Sequence, residues 1–248
     1  MHTFYVPPSQ IQTHIATITG SEHHHLRNVL RTTPGETIRI IDGQGNVYTA
    51  EMLGTDTNRS LSEARLLTHE FHAKPPLSLA LFQSLPKNDK MELVLQKTTE
   101  LGITQIVPMH SEHALQKPSQ NRYERWHRVV VSATKQCKRA WLPELCNPQT
   151  FEASLAHLEK FSLRLLFISP NHSGGSQTQH IKTVLRRGHE ATSIALFVGP
   201  EGGFSDQEIA ALVDSGCVPV TLGTNTLRTE TAAIAAVAVA AYEYQLEA

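Results

Sequence analysis

Residues 196–208 read LFVGPEGGFSDQE, and a glycine turn in such a setting is able to hold a ligand. An apolar run, Ile194 to Val198, precedes Gly199, Pro200, Glu201, Gly202 and Gly203. Ser205 with Glu208 three positions later has the spacing of a capping box, and Phe204 and Ile209 are placed as a hydrophobic staple. The stretch therefore predicts strand, tight turn, helix. Turns of this kind favour anions, because backbone N–H groups and a helix N-terminus point at the ligand. No Gly-Lys-Ser/Thr follows, however, and the dinucleotide spacing Gly-x-Gly-x-x-Gly is absent, which disfavours a nucleotide hydrolase. Glu201 stands inside the turn and repels phosphate. The ligand expected there is neutral or cationic at that point.

A second stretch with chemical potential is LGTNTLRTET at 222–231. Gly223 permits close approach of the backbone, and Arg228 and Glu230 fall near the start of a helix that continues as AAIAAVAVAA. A helix of Ala and Val packs its backbone close to a neighbour, either in its own core or across a dimer interface. Basic residues concentrate elsewhere. Lys117, Arg122, Arg125, Arg128, Lys135, Lys138 and Arg139 stand against one acid, Glu124, in a chain of formal net charge −1. Such a run reads either as a solvated helix face or as a nucleic-acid contact. The triplet His23, His24, His25 predicts no metal site, since consecutive residues point to different sides of a helix or strand.

The 248 residues and 40% hydrophobic content allow one large domain or two ordinary ones. Three cysteines without a Cys-x-x-Cys pair suggest neither a disulfide framework nor a thiolate zinc site, and a reducing cytosol fits best. The N-terminus lacks a basic region followed by an apolar run, and Ala232 to Ala241 is too short to span a bilayer, so a cytoplasmic chain with no membrane partner is expected. Residues 1–72 read as a small β-rich unit interrupted by one helix at 21–31. AKPP at 73–76 is the expected linker. After it, strands at 77–85, 103–109, 163–168, 194–198 and 218–223 alternate with helices at 89–101, 121–139, near 177–187, 205–215 and 229–246. That alternation predicts a parallel sheet covered by helices. Ligands bind outside the carboxyl ends of such strands, which places both stretches at one crevice.

Six segments together carry a resemblance: HHLRNVLR at 24–31, DGQGNVYTAEM at 42–52, LPKNDKMELVLQKTTELGI at 85–103, RWHRVVVSATKQCKRAWLPE at 125–144, VGPEGGFSDQE at 198–208 and LGTNTLRTETAA at 222–233. In this order, over nearly the whole chain, they resemble the ribosomal RNA small subunit methyltransferase E family of the SPOUT class. The resemblance implies an α/β fold in which a PUA-like β-barrel domain, residues 1–72, binds RNA. Residues 73–248 would form a trefoil-knotted parallel-sheet domain for S-adenosylmethionine-dependent methyl transfer. It further implies a homodimer and methylation of N3 of a uridine in 16S ribosomal RNA, free or within the small ribosomal subunit.

The cofactor so implied carries a sulfonium cation and no phosphate, which suits a turn containing Glu201. The resemblance assigns it to Gly199, Pro200, Glu201, Gly202, Gly203, Leu222, Gly223, Leu227, Arg228 and Thr231. Uridine N3 is protonated at neutral pH, so a base, or a cation that stabilises the anionic ring, is needed. Arg228 is the first choice for the cation. Glu201 and Glu230 are candidates for the base, and Glu230 reads equally as a helix-start carboxylate. Arg27, Arg31, Lys87, Lys90 and Arg139 are the expected RNA contacts. The chain departs from the family's pattern at three points: only His2 stands where an N-terminal arginine is usual, His113 replaces the arginine of Ser-Glu-Arg-Ser, and Asn225 replaces another. A SPOUT enzyme acting on transfer RNA is the alternative, and HHLRNVLR is the segment that separates the two. A catalytically silent RNA-binding module is disfavoured by the intact glycine turn and LRTETA.

Overall fold

The computed structural model describes residues 1–56, 60–87, 89–114, 119–156, 158–170 and 178–244. Lys117 of the basic run, position 177 of the helix expected near 177–187 and positions 245–246 of the last helix lie outside the described residues. The chain divides into two compact units, one of Met1–Lys74 with Val131–Leu142, the other of Pro75–Val130 with Pro143–Ala248. No helix among the described residues is long and apolar enough to cross a membrane.

The first unit is a six-stranded sheet. Its strands are β1 (Thr3–Tyr5), β2 (Ile11–Gln12), β3 (Ile15–Thr19), β4 (Thr37–Ile41), β5 (Asn46–Asp56) and β6 (Leu61–Phe71), in the order β1-β4-β5-β6-β3-β2. Alternation drives it: Ala16 and Ile18 of β3 and Ile38 and Ile40 of β4 point inward at 2% exposure or less, with polar residues between. They pack on Phe4, Leu26 and Ala64. The expected helix at 21–31 is a short α1 (Gly20–His24) that widens into a π-helical turn, His25–Leu30, and stops where Arg31 turns left-handed at φ 53°. This form buries His23 and Leu26 and leaves His24 and His25 in solvent.

What the sequence did not reveal is that a segment from the middle of the chain completes this unit. The Trp141 indole N–H donates to the carbonyls of His72 (2.9 Å) and Ala73 (3.1 Å). A Cβ on Gly45, whose φ is 95°, would stand 2.8 Å from the Trp141 ring and 2.6 Å from the His72 carbonyl, so only glycine fits. Lys135 also pairs with Glu22 at 2.6 Å.

The second unit has an entirely parallel sheet formed by β7 (Ser78–Ser84), β8 (Gln105–His110), β9 (Glu144–Leu145), β10 (Gln149–Thr150), β11 (Leu163–Phe167), β12 (Gln179–His180), β13 (Ser193–Val198) and β14 (Val218–Thr221). The order is β10-β8-β7-β13-β11-β14-β12, with β9 beside β8. Its helices are α2 (Lys90–Glu100), α4 (Phe151–Leu155), α5 (Ile181–Arg187), α6 (Asp206–Asp214) and α7 (Thr229–Tyr244), while α3 (Gln120–Gln136) begins here and ends in the first unit. Leu79 to Leu85 are buried without alternation, as a central parallel strand requires. Phe82 stacks on Phe197 at 4.4 Å between centroids and meets Phe161 edge-on at 5.8 Å.

Helix α3 stops at Gln136, three residues before the expected end. Lys138 adopts φ 60°, and the Arg139 and Lys138 N–H groups bond back to the carbonyls of Thr134 and Lys135, a terminating turn that a lysine can occupy though glycine is usual there.

Candidate active site

Strand β13 ends at Val198, and the chain reverses tightly. A Cβ on Gly199 would lie 3.1 Å from the backbone of Gly203 and Phe204, Gly203 is left-handed at φ 73°, and its N–H donates to the Pro200 carbonyl at 3.0 Å. Ser205 and Glu208 then form the expected capping box of α6. Glu208 also accepts the Glu112 N–H at 2.8 Å, which fixes the loop after β8 to the same helix start. From that loop the His113 Nδ1 lies 3.1 Å from the Gly203 carbonyl. On the other side the buried Thr229 hydroxyl, at the start of α7, donates to the Gly199 carbonyl at 2.6 Å and accepts from Gln83 Nε2 at 3.1 Å. The loop after β8, the start of α7 and a β7 side chain thus hold the turn in place.

The Glu201 carboxylate accepts the Lys87 N–H at 3.2 Å and the Lys90 ammonium at 2.8 Å. Lys90 reaches Glu230 as well, at 3.3 Å. Burial alone would raise the Glu201 carboxyl, but the Lys90 hydrogen bond, the backbone N–H groups of Glu201 and Lys87 and the Lys90 charge outweigh it and hold it below the usual carboxylate value. The bond to Glu201 raises the Lys90 ammonium, desolvation opposes this, and Glu230 adds to the rise. Two carboxylates thus share one ammonium.

Beside it opens a cavity of about 630 Å³. Its walls are the loop after β11 (Phe167 to Pro170), the glycine turn (Val198 to Phe204) and the loop after β14 (Leu222 and Asn225 to Thr229), with Lys90 and Ala232. These are carboxyl ends of neighbouring strands, on the side of β7 opposite β8, where the strand order reverses.

Of the residues expected around a cofactor, Gly199, Pro200, Glu201, Gly202, Gly203, Leu222, Leu227 and Arg228 line this cavity. Gly223 lies in the same loop, and Thr231 is exposed on the first turn of α7. Arg228 is exposed and forms no ion pair among the described residues. Glu230, 8% exposed, stands behind Lys90. Lys90, read from sequence as an RNA contact, is a wall residue, and Lys87 uses its backbone to hold Glu201. Arg27 and Arg31 are exposed in the first unit, whereas Arg139 is half-buried there, and burial lowers its pKa. Sequence reasoning missed Phe167 to Pro170, which strand-end position alone could have flagged, and the Lys90–Glu230 pair, which no local spacing reveals.

Known proteins match this arrangement. A model of the RNA methyltransferase domain matches residues 73–241, and one of the RNA methyltransferase PUA domain matches 18–62. Ribosomal RNA small subunit methyltransferase E of Synechocystis is 34% identical over 235 residues, 94% of this chain and 75% of that protein. Its namesake in Mycobacterium tuberculosis is 30% identical over 239 residues, 94% of this chain and 88% of that one. The crystal structure of the Neisseria gonorrhoeae enzyme of the same name, bound to S-adenosylmethionine, superposes with a TM-score of 0.82 at 32% identity over 96% of both chains. A parallel sheet with its cavity at the strand ends, a PUA domain before it and relatives along nearly its full length leave one assignment: the chain belongs to the ribosomal RNA small subunit methyltransferase E family.

Proposed function

We propose that this protein transfers the methyl group of S-adenosylmethionine to N3 of a uridine in 16S ribosomal RNA, with residues 1–72 as an RNA-binding domain and 73–248 as the methyltransferase. The observation that carries the reading is the Lys90–Glu201–Glu230 cluster in and behind the wall of a 630 Å³ cavity built from backbone at strand ends. The Glu201 carboxylate in its wall suits a ligand that carries a positive charge, and the cavity's size lies within the range of ligand pockets. The names of the Synechocystis, Bacillus subtilis and Mycobacterium tuberculosis relatives, each a ribosomal RNA methyltransferase, support ribosomal over transfer RNA.

When bound, S-adenosylmethionine supplies an electrophilic methyl group on a sulfonium sulfur. The glycine turn, Leu222 and Leu227 would hold it, their fixed backbone favouring the alignment on which displacement depends. Glu201 would offer a carboxylate to its positive charge. Arg228, free to donate, stabilises the uracil oxygens as N3 loses its proton. Glu201 is the cavity's carboxylate proton acceptor, and the lysine that keeps it anionic makes it a weak one. Arg228 therefore carries the larger share of catalysis.

The same reading includes a cytoplasmic homodimer. Its support is the outward apolar surface of Leu93 on α2 and Val239 and Tyr242 on α7, two helices that pack together. The trefoil knot belongs with it, as membership of the family implies. Nucleoside mass spectrometry of ribosomal RNA from a strain lacking the protein tests the function. Loss of 3-methyluridine from 16S RNA is expected; its persistence, with no second enzyme to supply it, refutes the proposal.

A further inference from the structure

Lys90 occupies an unusual place for a cation. It is the first residue of α2, where the positive end of the helix dipole disfavours a positive side chain. Nothing in the stability of α2 itself asks for a lysine there. Instead its ammonium lies between Glu201 at 2.8 Å and Glu230 at 3.3 Å, on the cavity wall, with 28% of the side chain still exposed. Partly exposed pairs of this kind are screened and contribute little, so Lys90 exchanges partners at small cost. Its flexible four-carbon stem permits the turn.

The charges dictate when that turn happens. Glu201 and Glu230 share the single Lys90 ammonium. A cation entering the cavity faces Glu201 and competes with Lys90 for it. Once displaced, the Lys90 ammonium keeps only its longer contact with Glu230 and turns its exposed side toward solvent, three residues after Lys87 of the preceding loop, where an RNA phosphate satisfies it. Resting on the functional reading above, we propose that Lys90 is a charge exchanger: paired with Glu201 while the cavity lacks a cation, and released to the RNA backbone once S-adenosylmethionine is in place. RNA then binds more tightly to the cofactor-loaded protein, and linkage makes the effect reciprocal.

The test is filter binding of 16S ribosomal RNA to the full chain alone, with S-adenosylmethionine, and with S-adenosylhomocysteine, which lacks the sulfonium charge. S-adenosylmethionine is expected to tighten RNA binding about tenfold, within the usual range of coupling between sites. S-adenosylhomocysteine should change it by less than about twofold, outside that range. The salt dependence should steepen by roughly one phosphate contact when the cation is present. Lys90→Gln should abolish the difference between the two ligands, and Lys90→Arg should retain most of it. Glu201→Gln should bind RNA more tightly than the parent without any ligand, because Lys90 has lost its shorter partner and keeps only Glu230. Equal tightening by both ligands, or a ligand difference that survives in Lys90→Gln, overturns the inference alone. Absence of any binding heat with S-adenosylmethionine overturns the functional reading and this inference with it.

Discussion

Arg228 and Glu201 differ in what the fold has done to them. Arg228 stands exposed in the cavity wall, so replacement by lysine keeps the charge but loses the planar fork that reaches two acceptors. Arg228→Lys should lower kcat about 100-fold, with the S-adenosylmethionine Kd from calorimetry changed by less than about threefold. Glu201 is held anionic, and its depressed pKa has a stability consequence of definite sign. The stabilising effect is present above the unfolded carboxyl value, about 4.3, and is lost as the pH falls through the lower folded value. Urea denaturation from pH 6 to pH 3 should show a steeper decline for the parent chain than for Glu201→Gln. Glu201 itself was legible as a carboxylate in a glycine turn. Its partner was not, because Lys90 is 111 residues away in sequence and only the parallel register of β7 beside β13 brings the two together.

At the level of elements, the start of α7 is tied to the end of β13 by one hydroxyl. Thr229→Val keeps the shape and leaves the Gly199 carbonyl and a Gln83 N–H donor short of a partner in the interior, so it should cost about 1–3 kcal/mol by urea denaturation. Gly199→Ala pushes a methyl against the returning backbone and should weaken cofactor binding in calorimetry while leaving α6, capped by its own Ser205, intact by circular dichroism. Strand and helix alternation was readable because parallel strands are short apolar runs and their helices carry caps, as with Ser205–Glu208. Element ends were less so. Lys138 ends α3 with a conformation that residue type does not announce, and the π-helical turn at His25–Leu30 has the same apolar spacing as an ordinary helix.

On the scale of the whole molecule, the two-unit plan was visible in the change of rhythm near AKPP, but not the return of Val131–Leu142 to the first unit. Nothing local in RWHRVVVSATKQCKRAW marks it, since the complement to Trp141 is the absent side chain of Gly45. Gly45→Ala should therefore destabilise the first unit by about 2 kcal/mol or more, from strain at positive φ and loss of the Trp141 seat, read as a lower denaturation midpoint. The proposed homodimer predicts a sedimentation mass twice the 27.5 kDa chain, and Tyr242→Asp should reduce it to the single-chain value. That returning segment also sets a timetable during synthesis. The β-strands of the first unit leave the ribosome well before Trp141 does, and at 5–20 residues per second the interval is roughly 3–14 s. For that time the nascent sheet must persist with the seat at Gly45 unfilled, so the part of the protein made first is finished only after more than half of the chain has been translated.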